Sequence, residues 1–456
     1  MRGTDQSQAG TSQPQLRRSL GTFDGVALLV GIVIGSGIYT TPSLVAAYFD
    51  SFASVMTVWL AVGVFVMISG LIYAELGSRL PTTGGEYVYI TRCFGPFAGF
   101  MFGWAQLFII RTSPAAGLAI IAANYVGVLT ELSPRAHTAV ALGIIAALGV
   151  FNYVGINWAS LFQKITTIIK VGFLALFAAV GVALMSGVPN LLGTYLSPTT
   201  GLGPTGNVIA ALMLIIFTHT GWDRVGYLAG EMKDPRKVIP RTMLIGIGIV
   251  LVLYWSLNIV YHYTLGMEGM RTTVTPAVDV ATVVVGSTGA IVVALMAIIS
   301  AIGSINGTMM SATRVYFAMA RDGLFFRWLD YVHPDFRTPS RAIIVHCVWA
   351  SVILVVRGSF EAIAAGMVFA ILIFYTMTTL ALFKLRRNEI GSEGAFRMPL
   401  YPWLPIVYLI GIVGLLVLRA IFEWEKSLVD FAFVATGLPI SFIWLSKKRR
   451  DHPSEV

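Results

Sequence analysis

The chain has 456 residues, 56% of them hydrophobic and only 12% charged, about half the charge of an ordinary soluble domain. Its apolar residues fall in runs near the ~20 that a membrane-spanning helix needs, which excludes a soluble protein and sets the class as polytopic, all-α and membrane-embedded. The net charge of +9 would suit nucleic acid, but 22 of the 31 Lys and Arg fall in loops on one side of the spans and five on the other, the positive-inside pattern that puts both termini in the cytoplasm.

Residues 1–21 are mostly Gln, Ser, Thr, Gly and Arg without an apolar segment, so they read as a disordered cytoplasmic tail and not as a cleavable signal peptide. Twelve spans fit the apolar runs. They are expected at roughly 22–49, 52–76, 97–128, 135–154, 158–186, 205–231, 239–265, 289–319, 340–356, 360–385, 403–423 and 427–446. Between the second and third, Arg79 to Pro96 reads as amphipathic and cytoplasmic. A Gly-, Pro-, Ser- and Thr-rich outer loop is expected over 187–204, a short outer helix near Asp279 to Val285, and a cytoplasmic tail over 447–456. The two cysteines, Cys93 and Cys347, cannot frame a disulfide scaffold.

The first span carries Gly31-Ile32-Val33-Ile34-Gly35-Ser36-Gly37-Ile38 in its middle. Each glycine in a helix interior costs about 1 kcal/mol relative to alanine. In a bilayer, backbone freed from the helix finds no water. Close helix packing through small residues accounts for this stretch as well as a broken helix does. The sixth span decides between them. Phe217-Thr218-His219-Thr220-Gly221-Trp222 interrupts its apolar run with polar residues at mid-depth, which is costly unless they face a cavity. Interruptions five spans apart point to an inverted-repeat transporter with its site between the two.

Further motifs carry a family resemblance. Glu75-Leu76-Gly77-Ser78-Arg79-Leu80-Pro81, followed by Gly84-Gly85-Glu86-Tyr87, closes the second span, where Glu75 and Arg79 are spaced for an i,i+4 pair. Trp104 precedes Phe108-Ile109-Ile110-Arg111 in the third span. Glu231 precedes Asp234-Pro235-Arg236 and Pro240 after the sixth. Ile302-Gly303-Ser304-Ile305-Asn306-Gly307, then Ser311 and Arg314, lie in the eighth. Together with the glycine stretch, these motifs make the chain resemble the amino acid–polyamine–organocation superfamily, and within it the bacterial type of the L-type amino-acid transporter branch, over about residues 22–420.

The resemblance implies a LeuT-like fold: an inverted repeat of five plus five helices, over 22–186 and 205–386, with two extra helices over 387–446. It implies an amino acid held between broken helices and no cofactor. The substrate carboxylate would take the amides of Ser36, Gly37 and Ile38, where a half-helix begins and its dipole is positive, with the Ser36 hydroxyl adding a bond. The ammonium would take the carbonyls of Val33, Phe217 and Thr220. Gly35 and Gly221 keep side chains out of the way, and Phe217 would cover the substrate. Thr218 and His219 belong to the same stretch; His219 either lines the pocket or bonds within the bundle.

Lys170 lies deep in the fifth span, where a charge costs roughly 2.5–3.5 kcal/mol and snorkelling is difficult. In sodium-independent relatives a lysine here bridges the first and eighth helices, where sodium-dependent relatives hold the ion. The expected partners are the Gly31 carbonyl and Ser304 or Ser300. Two cations a few Å apart repel by several kcal/mol even at an effective dielectric near 20, so transport is expected to be sodium-independent. Arg111 is expected to tie helices together. Asp223 departs from the animal L-type pattern and is similar to the cationic-amino-acid branch. Arg224 matches neither.

The function expected from this is transport of L-amino acids, neutral ones first, by exchange or facilitated transport through the cell membrane. A proton-coupled or cationic amino acid or polyamine permease is the alternative, and a sensor on a transporter scaffold is a reading from a different class. An enzyme would need clustered polar groups, but the six histidines are scattered along the sequence. The loop from Thr130 to Pro134 has no cysteine, so no disulfide-linked subunit is expected.

Overall fold

The computed structural model describes residues 20–184 and 196–444, apart from 83, 322, 324 and 443. The tails expected over 1–21 and 447–456, except 20 and 21, and the first half of the outer loop over 187–204 lie outside the described residues. The helices are α1 (Thr22–Val33), α2 (Gly37–Tyr48), α3 (Phe52–Arg79), α4 (Glu86–Phe94) and α5 (Pro96–Ala105), which passes through a π-helical turn at Gln106–Ile110 into α6 (Thr112–Leu129). There follow α7 (Pro134–Val154), α8 (Ile156–Ala183), α9 (Gly203–His219), a 3₁₀ segment (Trp222–Glu231), α10 (Pro235–Thr272) and α11 (Pro276–Val285). The chain closes with α12 (Ser287–Arg321), α13 (Ser340–Arg357), α14 (Phe360–Arg387), α15 (Trp403–Phe422) and α16 (Trp424–Ala435).

Several helices start where a serine can cap them. Ser51, Ser133 and Ser359 each accept a hydrogen bond from the amide three residues on, at 3.2–3.3 Å. Among the described residues ten helices are long and apolar enough to cross a membrane, or eleven when the bent pair α1–α2 is taken as one span. The twelfth expected span coincides with α16. That helix is 12 residues long and is interrupted at Thr436, and its continuation runs out of the described residues.

Packing follows the repeat. α3 lies against α10, α6 against α12, α7 against α13, and α2 against α9. Each pair is five spans apart in the chain, as two repeats related by an axis in the membrane plane require. The apolar window of Pro96–Leu129 is 89% buried, against 22% in Leu161–Ala183. The third span is therefore central, while α8 offers most of its surface to lipid, with Ile168 and Leu176 exposed.

One end of the bundle is basic. There Glu75, fully buried, accepts from Arg79 Nε at 2.8 Å, from Arg386 Nε at 2.7 Å and from the Met398 amide at 2.9 Å. The i,i+4 pair expected from the sequence thus becomes the centre of a knot between α3, α14 and the segment after it. At the same end the chain entering α1 pairs with the chain leaving the 3₁₀ segment. Leu20 N donates to Glu231 O and Lys233 N to Leu20 O, both at 3.0 Å. At the opposite end Arg271 donates to the Ala46 carbonyl at 3.0 Å and to that of Phe49, closing the C-terminus of α2 with a cation, the sign its dipole favours.

Candidate functional site

Both interrupted spans are broken at one depth. α1 stops at Val33 and α2 restarts at Gly37 with a bend of 49°. Gly35 N folds back onto the Val33 carbonyl at 2.7 Å. The first amides of α2 are the orphan donors of a helix N-terminus. Beside them the Ser36 hydroxyl is buried and has no hydrogen-bond partner among the described residues. In the sixth span α9 ends at His219, Thr220 is extended, and Gly221 has φ +118. A side chain at Gly221 would be strained there and would also lie 2.8 Å from Ile32 Cγ2, so glycine lets the two breaks touch.

The breaks are stitched together by hydroxyls. Thr41 Oγ1 and Thr218 Oγ1 are 2.8 Å apart. Tyr254 on α10 donates to the Val33 carbonyl at 3.0 Å. The Phe217 carbonyl accepts from Thr220 N at 3.0 Å and Thr220 Oγ1 at 2.7 Å, filling both its lone pairs. Two of the three carbonyls expected to hold an ammonium are thus engaged internally.

Between the breaks lies a cavity of about 30 Å³, room for a water or two but not for an amino acid. Val33, Gly35, Gly37, Phe217, Thr218 and Thr220 line it, with Ser304, Thr308 and Arg224 opposite. The Phe217 ring stands edge-on to Phe360 with centroids 5.3 Å apart, so α9 and the start of α14 close over one side. Ser36 and Ile38 are fully buried beside it.

Lys170 is fully buried on the protein-facing stripe of α8, and its Nζ donates to Ser304 Oγ at 3.0 Å. Ser304 in turn donates to the Ile34 carbonyl at 3.4 Å, so the lysine reaches the first break through α12. The sequence pointed to Gly31 and to Ser304 or Ser300, and the structure selects Ser304. Gly31 serves packing instead. A side chain on it would lie 2.3 Å from Thr167 Cγ2, so glycine lets α1 approach α8. Ser300 Oγ is buried without a hydrogen-bond partner among the described residues.

Beneath the second break is a buried charge network. Arg111, at the end of the π turn, donates to Asp223 Oδ2 at 2.6 Å, Gln106 Oε1 at 2.6 Å and Tyr227 Oη at 3.1 Å. The pair joins the third span to the 3₁₀ segment, the tie expected of Arg111. Glu86 on α4 lies 4.0 Å from Arg111 and accepts from Tyr73 and Tyr227. Burial, and then the Asp223 carboxylate, push the Glu86 carboxyl well above the usual range.

His219 takes the second of the two places the sequence left open, bonding within the bundle. Its ring packs between Trp59 and Tyr254, with centroids 5.7 and 5.1 Å away, and its Nδ1 donates to the Ile215 carbonyl at 2.8 Å. It faces α3 and α10 and is absent from the cavity lining. Two residues are about 200° of α-helix, so Phe217 and His219 cannot look the same way. That spacing could have shown it in advance. Arg224 and Thr308 were not foreseen as lining residues.

Two helices broken at the same depth, their loosened backbone turned toward a shared polar cavity, define a transporter of the inverted-repeat class. Comparison with known proteins gives the family. The chain belongs to the amino acid permeases, whose family model matches residues 20–440, and within them it is a bacterial-like member of the L-type branch, a transporter and not an enzyme. It is 31% identical to the serine/threonine exchanger SteT of Bacillus subtilis, over 95% of this chain and 98% of that one. It is 27% identical to the rat b(0,+)-type amino acid transporter 1, over 98% and 93%. With the mouse Asc-type amino acid transporter 1 the identity is 28%, over 96% and 83%.

Proposed function

We propose that the chain carries neutral L-amino acids through the cell membrane without sodium, by exchange or facilitated transport in an alternating-access cycle, with both termini cytoplasmic and no disulfide-linked subunit. The observation behind this is the chain of contacts from Lys170 through Ser304 to Ile34. It places a cation-bearing side chain at the first break, where a sodium ion would meet its repulsion. The substrate carboxylate sits on the Ser36, Gly37 and Ile38 amides. Its ammonium sits by the Val33, Phe217 and Thr220 carbonyls, the first two of which exchange internal bonds for it as the site opens. That a relative is named an exchanger supports the exchange mode. Among the described residues no acid lines the cavity, which favours neutral over cationic substrates.

The test is initial uptake of labelled amino acid into liposomes holding the purified protein, with and without trapped amino acid, in sodium or choline. Equal rates in the two salts are expected, and a strict sodium requirement would overturn the reading. Binding without uptake in any condition would favour a sensor.

The lid role of Phe217 gives a second expectation. Phe217→Ala opens the edge-on contact with Phe360, so uptake per folded molecule should fall. Uptake normalised to the monodisperse fraction on size exclusion measures it. An undiminished value refutes the lid.

A further inference from the structure

The transport cycle proposed for the chain makes no use of Arg224. This residue sits three positions beyond Gly221, and a 3₁₀ segment with three residues per turn brings it back to the same side of the chain. It is only 5% exposed and lines the cavity. Its Nη1 donates to Thr308 Oγ1 at 3.0 Å, and its Nε is buried with no partner among the described residues. No carboxylate lies within 4.0 Å of it among them, because the adjacent Asp223 is bonded to Arg111. A guanidinium has five donors and no acceptor, and burying one without a full set of partners is unfavourable. Ser304, Thr308, Thr218 and Thr220 line the same cavity.

We propose that Arg224 determines specificity: it donates to an oxygen on the substrate's side chain, so the site selects hydroxyl or carboxamide side chains over aliphatic ones of the same shape and rejects lysine and arginine. The proposal rests on the transport reading and adds the substrate class. A site whose buried donor is satisfied only by a substrate oxygen discriminates strongly against the analogue lacking it. Threonine and valine are the matched pair, since they differ by a hydroxyl in place of a methyl.

The experiment measures inhibition of labelled threonine uptake by threonine, valine, asparagine, aspartate and lysine, in the wild type, Arg224→Met and Thr308→Val. A thermal-shift titration of the detergent-solubilised protein runs beside it. In the wild type threonine should bind at least about tenfold tighter than valine, and lysine should not compete. In Arg224→Met the ratio should fall to about threefold or less through weaker threonine binding, and Thr308→Val should lie between. Asparagine outcompeting aspartate supports a neutral side-chain oxygen as the preferred partner of Arg224, and aspartate outcompeting asparagine overturns it. Valine matching threonine in the wild type, or an unchanged ratio in both variants, overturns it. Should Arg224→Met fail to fold, the wild-type ratio and Thr308→Val decide. Threonine stabilising the protein over valine while no amino acid is taken up would overturn the transport reading and leave Arg224's role standing.

Discussion

Replacing Lys170 by alanine is expected to lower initial amino-acid uptake by about tenfold or more, since a hydrogen bond from a charged group contributes roughly 1.5–3 kcal/mol and 1.4 kcal/mol is a factor of ten. The bond lost is the one to Ser304, which holds α12 against the Ile34 carbonyl. Without it the first break loses its brace from α8, and the amides at the start of α2 lose their fixed aim. Stability should move the other way or not at all. No carboxylate within 4.0 Å offsets the burial of this ammonium among the described residues, so removing it relieves a desolvation cost. Uptake and thermal midpoint measured on the same preparation separate the two effects. Wild-type uptake in the alanine variant would refute the brace.

Asp223→Ala should have the largest effect on stability. Arg111 is only 2% exposed and its shortest carboxylate contact is Asp223, at 2.6 Å. Removing one partner of a buried ion pair costs about 3–5 kcal/mol, because the other charge stays behind. Glu86, at 4.0 Å from the same nitrogen, can take up part of the charge, so Asp223→Ala with Glu86→Gln should be worse than either alone. Replacing both partners, as in Arg111→Met with Asp223→Leu, should recover most of the stability, since an apolar pair carries no desolvation cost. Thermal unfolding in detergent reads all four variants. An Asp223→Ala protein as stable as the wild type would show that the pair is not what holds the 3₁₀ segment to the third span.

The breaks in the first and sixth spans were legible because glycine and polar residues are costly in a membrane helix, so their presence at mid-depth carries information. The Glu75–Arg79 pair was legible because helical spacing alone sets it. Arg224 escaped for the complementary reason. The sequence shows a helix being broken but not what replaces it, and only the 3₁₀ geometry after Gly221 carries Arg224 back to the cavity. The π turn at Gln106–Ile110 was equally hidden. Its residues are ordinary helix formers, and it shows only in the Arg111 N to Gln106 O bond at 3.0 Å. Lys170 was plain as an anomaly, but the choice of Ser304 over Ser300 depends on how α8 and α12 are rotated, which no local pattern encodes.

The pairing of Leu20 with the chain at Glu231 and Lys233 is made entirely of main-chain atoms. It fastens the leading arm of the first broken span to the trailing arm of the sixth without asking anything of a side chain. Nineteen residue types can supply such an amide, and only proline cannot. The fastening therefore leaves almost no trace in letters: homologues could drift freely at these positions and keep it, and alanine scanning would pass over it. Proline at position 20 or 233 removes one of the two bonds, and proline at both is the change that would uncouple the two arms.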